Sequence, residues 1–186
     1  MYERENLLRI FEETKKAVLE GSSAKIKILS DQTTNSASLT QDPDNIASAV
    51  IVYSLSKIIE RGNYSSLKGW NEFYKNYLNS IWGIISALKQ NDEDKFRKNV
   101  KIIMDSIKNL SGELKHNIQD VFRKASINKA SKIYEHGISM ETTAGLLGIT
   151  LYDLASYAGG RESFYRPELK TIDVKKRIKF AMEMFE

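Results

Sequence analysis

The residues of this chain best placed to act on a partner are cations and hydroxyls gathered near its C-terminal end. Arg161, Arg166, Lys170, Lys175 and Lys176 follow one another there. Cations at that density attract polyanions, phosphates above all, with a strength that falls as salt is added. Just ahead of them, Thr150, Tyr152 and Ser156 place hydroxyls on what the spacing makes the outward side of a short helix. Hydroxyls bond phosphate oxygens and position a nucleic acid without reading its sequence. Between Thr150 and Ala158 there is no Arg, Lys, Asn or Gln, the side chains whose donors match base edges in the major groove. Asp153 has the wrong sign for phosphate unless it caps the helix or accepts from a cytosine amino group.

Catalytic chemistry is harder to assemble. His116 and His136 stand far apart and lack the spacing of a zinc helix. There is no Walker loop, GxGxxG or GxSxG segment, and no cysteine to supply a thiolate or a disulfide. No catalytic residue, metal site or cofactor is therefore expected, and the chain does not read as an enzyme. One polar cluster remains, formed by Asp31, Thr33, Thr34, Asn35, Ser38, Asp42 and Asp44 between two apolar segments. As a loop it offers oxygen ligands for Mg²⁺, Ca²⁺ or a small polar molecule. The same residue types also make turns and helix caps.

The elements that must hold the hydroxyls and cations are legible from Ser139 to Gly160, SMETTAGLLGITLYDLASYAGG. Gly148 suits the turn between two short helices, where positive φ costs a side-chain-bearing residue more. Ala144, four residues earlier, is small where the helices would cross. Leu147 and Ile149 flank the turn, and Leu154 and Tyr157 keep a helical stripe towards the same small core. Thr143 puts a polar residue on an inward position, where its methyl can be buried and its hydroxyl can bond a helix carbonyl. Ser139 is placed to cap the first of these helices. With Ala130, Ile133 and Tyr134 ahead of a His136-Gly137 stop, three helices are expected, at about Asn128–His136, Met140–Leu147 and Leu151–Ala158. The segment Lys129–Gly160, KASKIYEHGISMETTAGLLGITLYDLASYAGG, resembles the helix-turn-helix of prokaryotic regulators. More narrowly, it resembles that of small uncharacterised archaeal and bacterial antitoxin-like proteins. The resemblance implies a duplex-DNA-binding unit, with an antitoxin-like or other interaction module that docks a partner protein through the helix-turn-helix and tail as the alternative.

Ahead of this unit the chain reads as helical. Aliphatic residues recur at three- and four-residue steps, and two prolines and ten glycines interrupt 186 residues. A first helix is expected over Glu3–Leu19, then an extended or loop segment through Lys25–Leu29 and the polar run. Asp42-Pro43-Asp44 starts a helix to Arg61 that is apolar almost all round, hence central. Ser66–Gln90 and Asp92 to about Lys124 follow, the second with a break expected near Ser111-Gly112 because glycine weakens a helix interior. Its apolar spacing suits either a coiled-coil seam between two copies or a bundle helix within one chain. A terminal basic helix is expected over Asp173–Phe185.

The expected fold class is all-α: a helical bundle over residues 1–124, then a helix-turn-helix and basic tail over 125–186. The net charge of +4 mildly favours acidic partners. No stretch approaches the roughly twenty apolar residues of a membrane span. The opening MYERENLLRIFEE is too charged for a signal peptide, so the expected location is the cytoplasm. These readings combine into a DNA-associated transcriptional regulator, expected to act as a homodimer. Alternatives are a module docking a partner protein and a sensor using the 31–44 polar loop.

Overall fold

The computed structural model describes residues 3–147 and 149–162. Among them are eight helices and no strand: α1 Arg4–Leu19, α2 Ser23–Thr40, α3 Pro43–Arg61, α4 Trp70–Gln90, α5 Glu93–Lys108, α6 Gly112–Glu135, α7 Met140–Leu147 and α8 Leu151–Glu162. The all-α expectation holds.

Helix α3 is the hub. Asp42 accepts from the Asp44 amide at 2.9 Å, Pro43 occupies the first turn, and Gly62 ends the helix with φ of 61° while its N–H donates to the Ile58 carbonyl. Between these ends Ile51, Leu55 and Ile58 are buried, and α1, α2, α6 and α7 all pack on the helix. A helix apolar on every side can shed its water contact only by being surrounded in this way. Helices α4 and α5 form a hairpin beside it. Tyr77 of α4 is fully buried and its hydroxyl donates to the Ile51 carbonyl of α3 at 2.8 Å.

The segment 23–40 departs from expectation. It is a helix, α2, not an extended piece and a loop. Its many hydroxyls are satisfied by its own backbone: Thr33 donates to the Leu29 carbonyl, Thr34 to Ser30, Ser38 to Thr34 and Thr40 to Ser36, all at 2.8–3.0 Å. Ser30 reaches across to the Ala49 carbonyl of α3 at 2.9 Å. Low local helix preference is overridden because small side chains let α2 lie close against α3 and bury its carbon with its hydroxyls paired. The apparent alternation of Lys25–Leu29 resolves into helical spacing, with Ile26 and Leu29 buried and Ile28 exposed.

The long helix expected from Asp92 to about Lys124 is two helices, divided at the break expected near Ser111-Gly112. The chain leaves the helix after Lys108 and re-enters at Gly112, whose φ of 60° breaks the ladder. Helix α6 then runs past Lys124 to Glu135, absorbing the helix expected to begin at about Asn128. Phe96, Ile103, Ile107, Leu114, Ile118, Val121 and Phe122, which could have formed a seam between two chains, are buried within this one. They are bundle residues.

Candidate functional site

The last part of α6 packs with α7 and α8. Ala130, Ala144 and Leu154 form its buried centre, covered by Met140, Leu147 and Ile149. The small side chains at 130 and 144 are what permit the close approach. Ser139 caps α7, accepting from the Thr142 amide at 3.1 Å, and the Ile149 N–H donates to the Ala144 carbonyl at 3.1 Å. Thr150 caps α8: its hydroxyl accepts from the Asp153 amide at 3.0 Å and donates to the Asp153 carboxylate at 2.7 Å. Asp153 also pairs with Arg123 of α6 at 2.6 Å. The arginine, then the threonine hydroxyl, hold its carboxyl below the usual carboxylate range. Thr143 is fully buried and its hydroxyl oxygen has no hydrogen-bond partner.

Of the sequence-derived contact residues, Tyr152 and Ser156, four apart, share one side of α8, and Thr150 precedes the helix as its cap. The Thr150 hydroxyl is committed to the cap. Tyr152 is 80 % exposed and its neighbour Leu151 47 %, and with Ala155 and Ser156, also exposed, they form the outward face of α8. Arg161 lies on the last turn of α8. Gly148, Arg166, Lys170, Lys175 and Lys176 lie outside the described residues. Tyr157, expected in the small core, is half-buried and faces a groove, where the Asn128 amide donates to its hydroxyl at 3.2 Å.

That groove, of about 650 Å³, runs between α3, α6 and the first turns of α8. Tyr53, Lys57 and Arg61 line it from α3, and Tyr152, Asp153, Ser156 and Tyr157 from α8. From α6 come apolar Val121, Ala125 and Ile127, polar Asn128, and the cations Arg123 and Lys124. Lys57 pairs with Glu60, Lys124 pairs with Asp120 at 2.8 Å, and Arg61 donates to the Tyr64 hydroxyl at 3.3 Å. Those cations were not anticipated. Lys57 and Arg61 share one face of α3 by their four-residue spacing, but nothing local tells that α6 brings Arg123 and Lys124 opposite them.

Behind Tyr53 lies a second cluster. Lys129 of α6 has no exposed side-chain surface; its ammonium donates to Asp31 of α2 at 2.9 Å and sits 4.5 Å from the Tyr53 ring centroid. Burial lowers its pKa to about 8, against the raising effect of Asp31. Burial pushes the Asp31 carboxyl up, but hydrogen bonds from Lys132 and Lys129 outweigh it and leave a net lowering. A sequence signal existed here: Lys129 occupies an otherwise apolar stripe with Phe122, Ala125 and Ile133. The expected polar loop does not form. Asp31 is held by lysines, Asp42 caps α3, Asp44 pairs with Arg97 at 3.0 Å, and the Ser and Thr hydroxyls at 33, 34 and 38 bond backbone. Among the described residues no group of three His, Cys, Asp or Glu could hold a metal ion, and no helix is long and apolar enough to cross a membrane. His116 and His136 are both exposed.

No family model, characterised protein or solved structure matches this chain.

Proposed function

We propose that the chain is a DNA-associated regulator that meets duplex DNA with the outward face of α8, gripping the backbone in preference to reading bases. The observation that carries this is the open face of α8, the last helix of a compact three-helix unit, with Tyr152 and Ser156 hydroxyls outward and the chain's basic C-terminal residues directly after it. Asp153, which would repel phosphate, is neutralised by Arg123 and accepts from the hydroxyl of the capping Thr150. With no Arg, Lys, Asn or Gln on that face, binding should discriminate poorly between sequences.

Fluorescence anisotropy with duplexes of unrelated sequence tests the reading. Affinities should be similar across sequences and fall steeply with salt, and R161E/R166E should weaken all of them alike, with a shallower salt slope. Absence of binding at low salt, or binding indifferent to salt, overturns it.

A second reading, that the chain is an antitoxin-like module docking a partner protein, rests on the exposure of Leu151 and Tyr152, an apolar pair suited to such a contact. Leu151→Ala, which removes apolar surface without adding charge, separates the two: it should weaken a stoichiometric protein complex if the partner reading holds, and change duplex affinity little if it does not.

A further inference from the structure

The groove between α3, α6 and α8 has features that the outward face of α8 does not use. Its volume of about 650 Å³ lies in the range of small-molecule sites, about 300–1,000 Å³. Val121, Ala125 and Ile127 give it an apolar side, and Tyr152, exposed at its edge, offers an aromatic face for stacking. Four cations line it, Lys57, Arg61, Arg123 and Lys124, against a single carboxylate, Asp153. That carboxylate already bonds Arg123. The present partners of Lys124 and Arg123 are surface ion pairs, which an incoming anion can replace at little cost. Asn128, on the same wall, donates to Tyr157 while its carbonyl oxygen is buried without a partner. An unpaired buried acceptor calls for a donor.

Those requirements select a ligand with three parts: a flat ring, an N–H donor on that ring and an anionic group. We propose that the groove is a binding site for a free mononucleotide, its base stacked against Tyr152 with an amino group towards Asn128 and its phosphate among Lys57, Arg61 and Lys124. The apolar wall and the limited volume favour a small molecule over a continuous strand. The proposal concerns the chain without DNA and stands whether or not α8 engages a duplex.

Isothermal titration of the full chain, in the absence of nucleic acid, with AMP, adenosine and ribose 5-phosphate tests it. AMP should bind saturably, and each fragment should bind at least about tenfold more weakly, since each lacks either the charge or the ring. Arg61→Gln and Lys124→Gln should each weaken AMP binding about three- to tenfold, as expected for losing one contact to a charged group at a partly exposed site. Lys124 is exposed and its replacement leaves the core untouched, so it reports even if Arg61→Gln perturbs the turn at Tyr64. Asp153→Asn should tighten AMP binding, because it removes the one anion in the lining. No saturable AMP binding at millimolar concentration overturns the proposal. So does adenosine or ribose 5-phosphate binding as well as AMP, or an affinity unmoved by both glutamine variants.

Discussion

Replacing Lys129 with methionine isolates the cost of burying a charge at the α2–α6 contact. The side chain is fully buried, and its pKa of about 8 lies well below the ordinary lysine value of 10.5. Below pH 8 the folded and unfolded chains both carry the proton, and the folded state bears the penalty of an enclosed ammonium. Between about 8 and 10.5 the unfolded chain holds a proton that the folded chain has released, so stability rises with pH at about 1.4 kcal/mol per unit. Over that window the gain is about 3 kcal/mol, complete above 10.5 and lost as pH falls through 8. Methionine cannot titrate and has similar length, and Asp31 keeps Lys132 as a partner, so no carboxylate is stranded. K129M should therefore be the more stable protein at pH 7, by up to about 3 kcal/mol. Its advantage should shrink as pH approaches 10.5. Urea unfolding of both proteins at pH 7, 8.5 and 10 measures this, and tyrosine ionisation common to both cancels in the difference. Parallel stability curves across the window would rule out a destabilised ammonium at Lys129, because they require one that titrates as if solvated. A loss of stability in K129M at every pH would refute it as well, by making the Asp31 and Tyr53 contacts worth more than the burial costs.

The unpartnered hydroxyl of Thr143 makes Thr143→Val a stabilising change, by about 1 kcal/mol, since valine keeps the branched shape and removes a buried polar atom; a lower Tm than wild type would contradict this. Gly83 of α4 is small because Asn99 of α5 lies against it, and a Cβ there would come within 2.1 Å of the Asn99 side-chain oxygen. Gly83→Ala should thus give little or negative benefit alone, yet in an Asn99→Ala background it should add the ordinary helix gain of about 1 kcal/mol; equal effects in both backgrounds, by chemical unfolding, would remove the steric account. Thr150→Ala should lower stability by about 1 kcal/mol through loss of the α8 cap, and hydrogen exchange should show the loss concentrated in the first turn of α8; unchanged protection there would contradict the capping role.

Local chemistry made much of this architecture readable. Asp42-Pro43 and Gly62 bound α3 because a capping carboxylate, a preset φ and a residue tolerant of positive φ act within one turn. The same holds for Ser139 before α7, whereas Ala130, Ala144 and Leu154 come from three helices and meet only in the packed unit. Helix α2 was not readable. Its Ser and Thr residues prefer turns when water is available, and they become helical only where α3 gives the segment a surface to pack on. The end of the expected helix at Lys124 failed for a related reason, since no local stop signal stands there and α6 continues to Glu135.

Composition, periodicity and caps by themselves determined that this is an all-α protein, with a central apolar helix and a small three-helix unit near its C-terminal end. Tertiary structure alone decided which charges meet. Asp31 and Lys129 are paired across 98 positions of sequence, and Lys57, Arg61, Arg123 and Lys124 share one groove although they come from two helices. The physical reason is range: hydrogen bonds within a turn and side-chain periodicity act over a few residues, whereas Coulomb attraction and burial act between whatever surfaces the packed chain brings together.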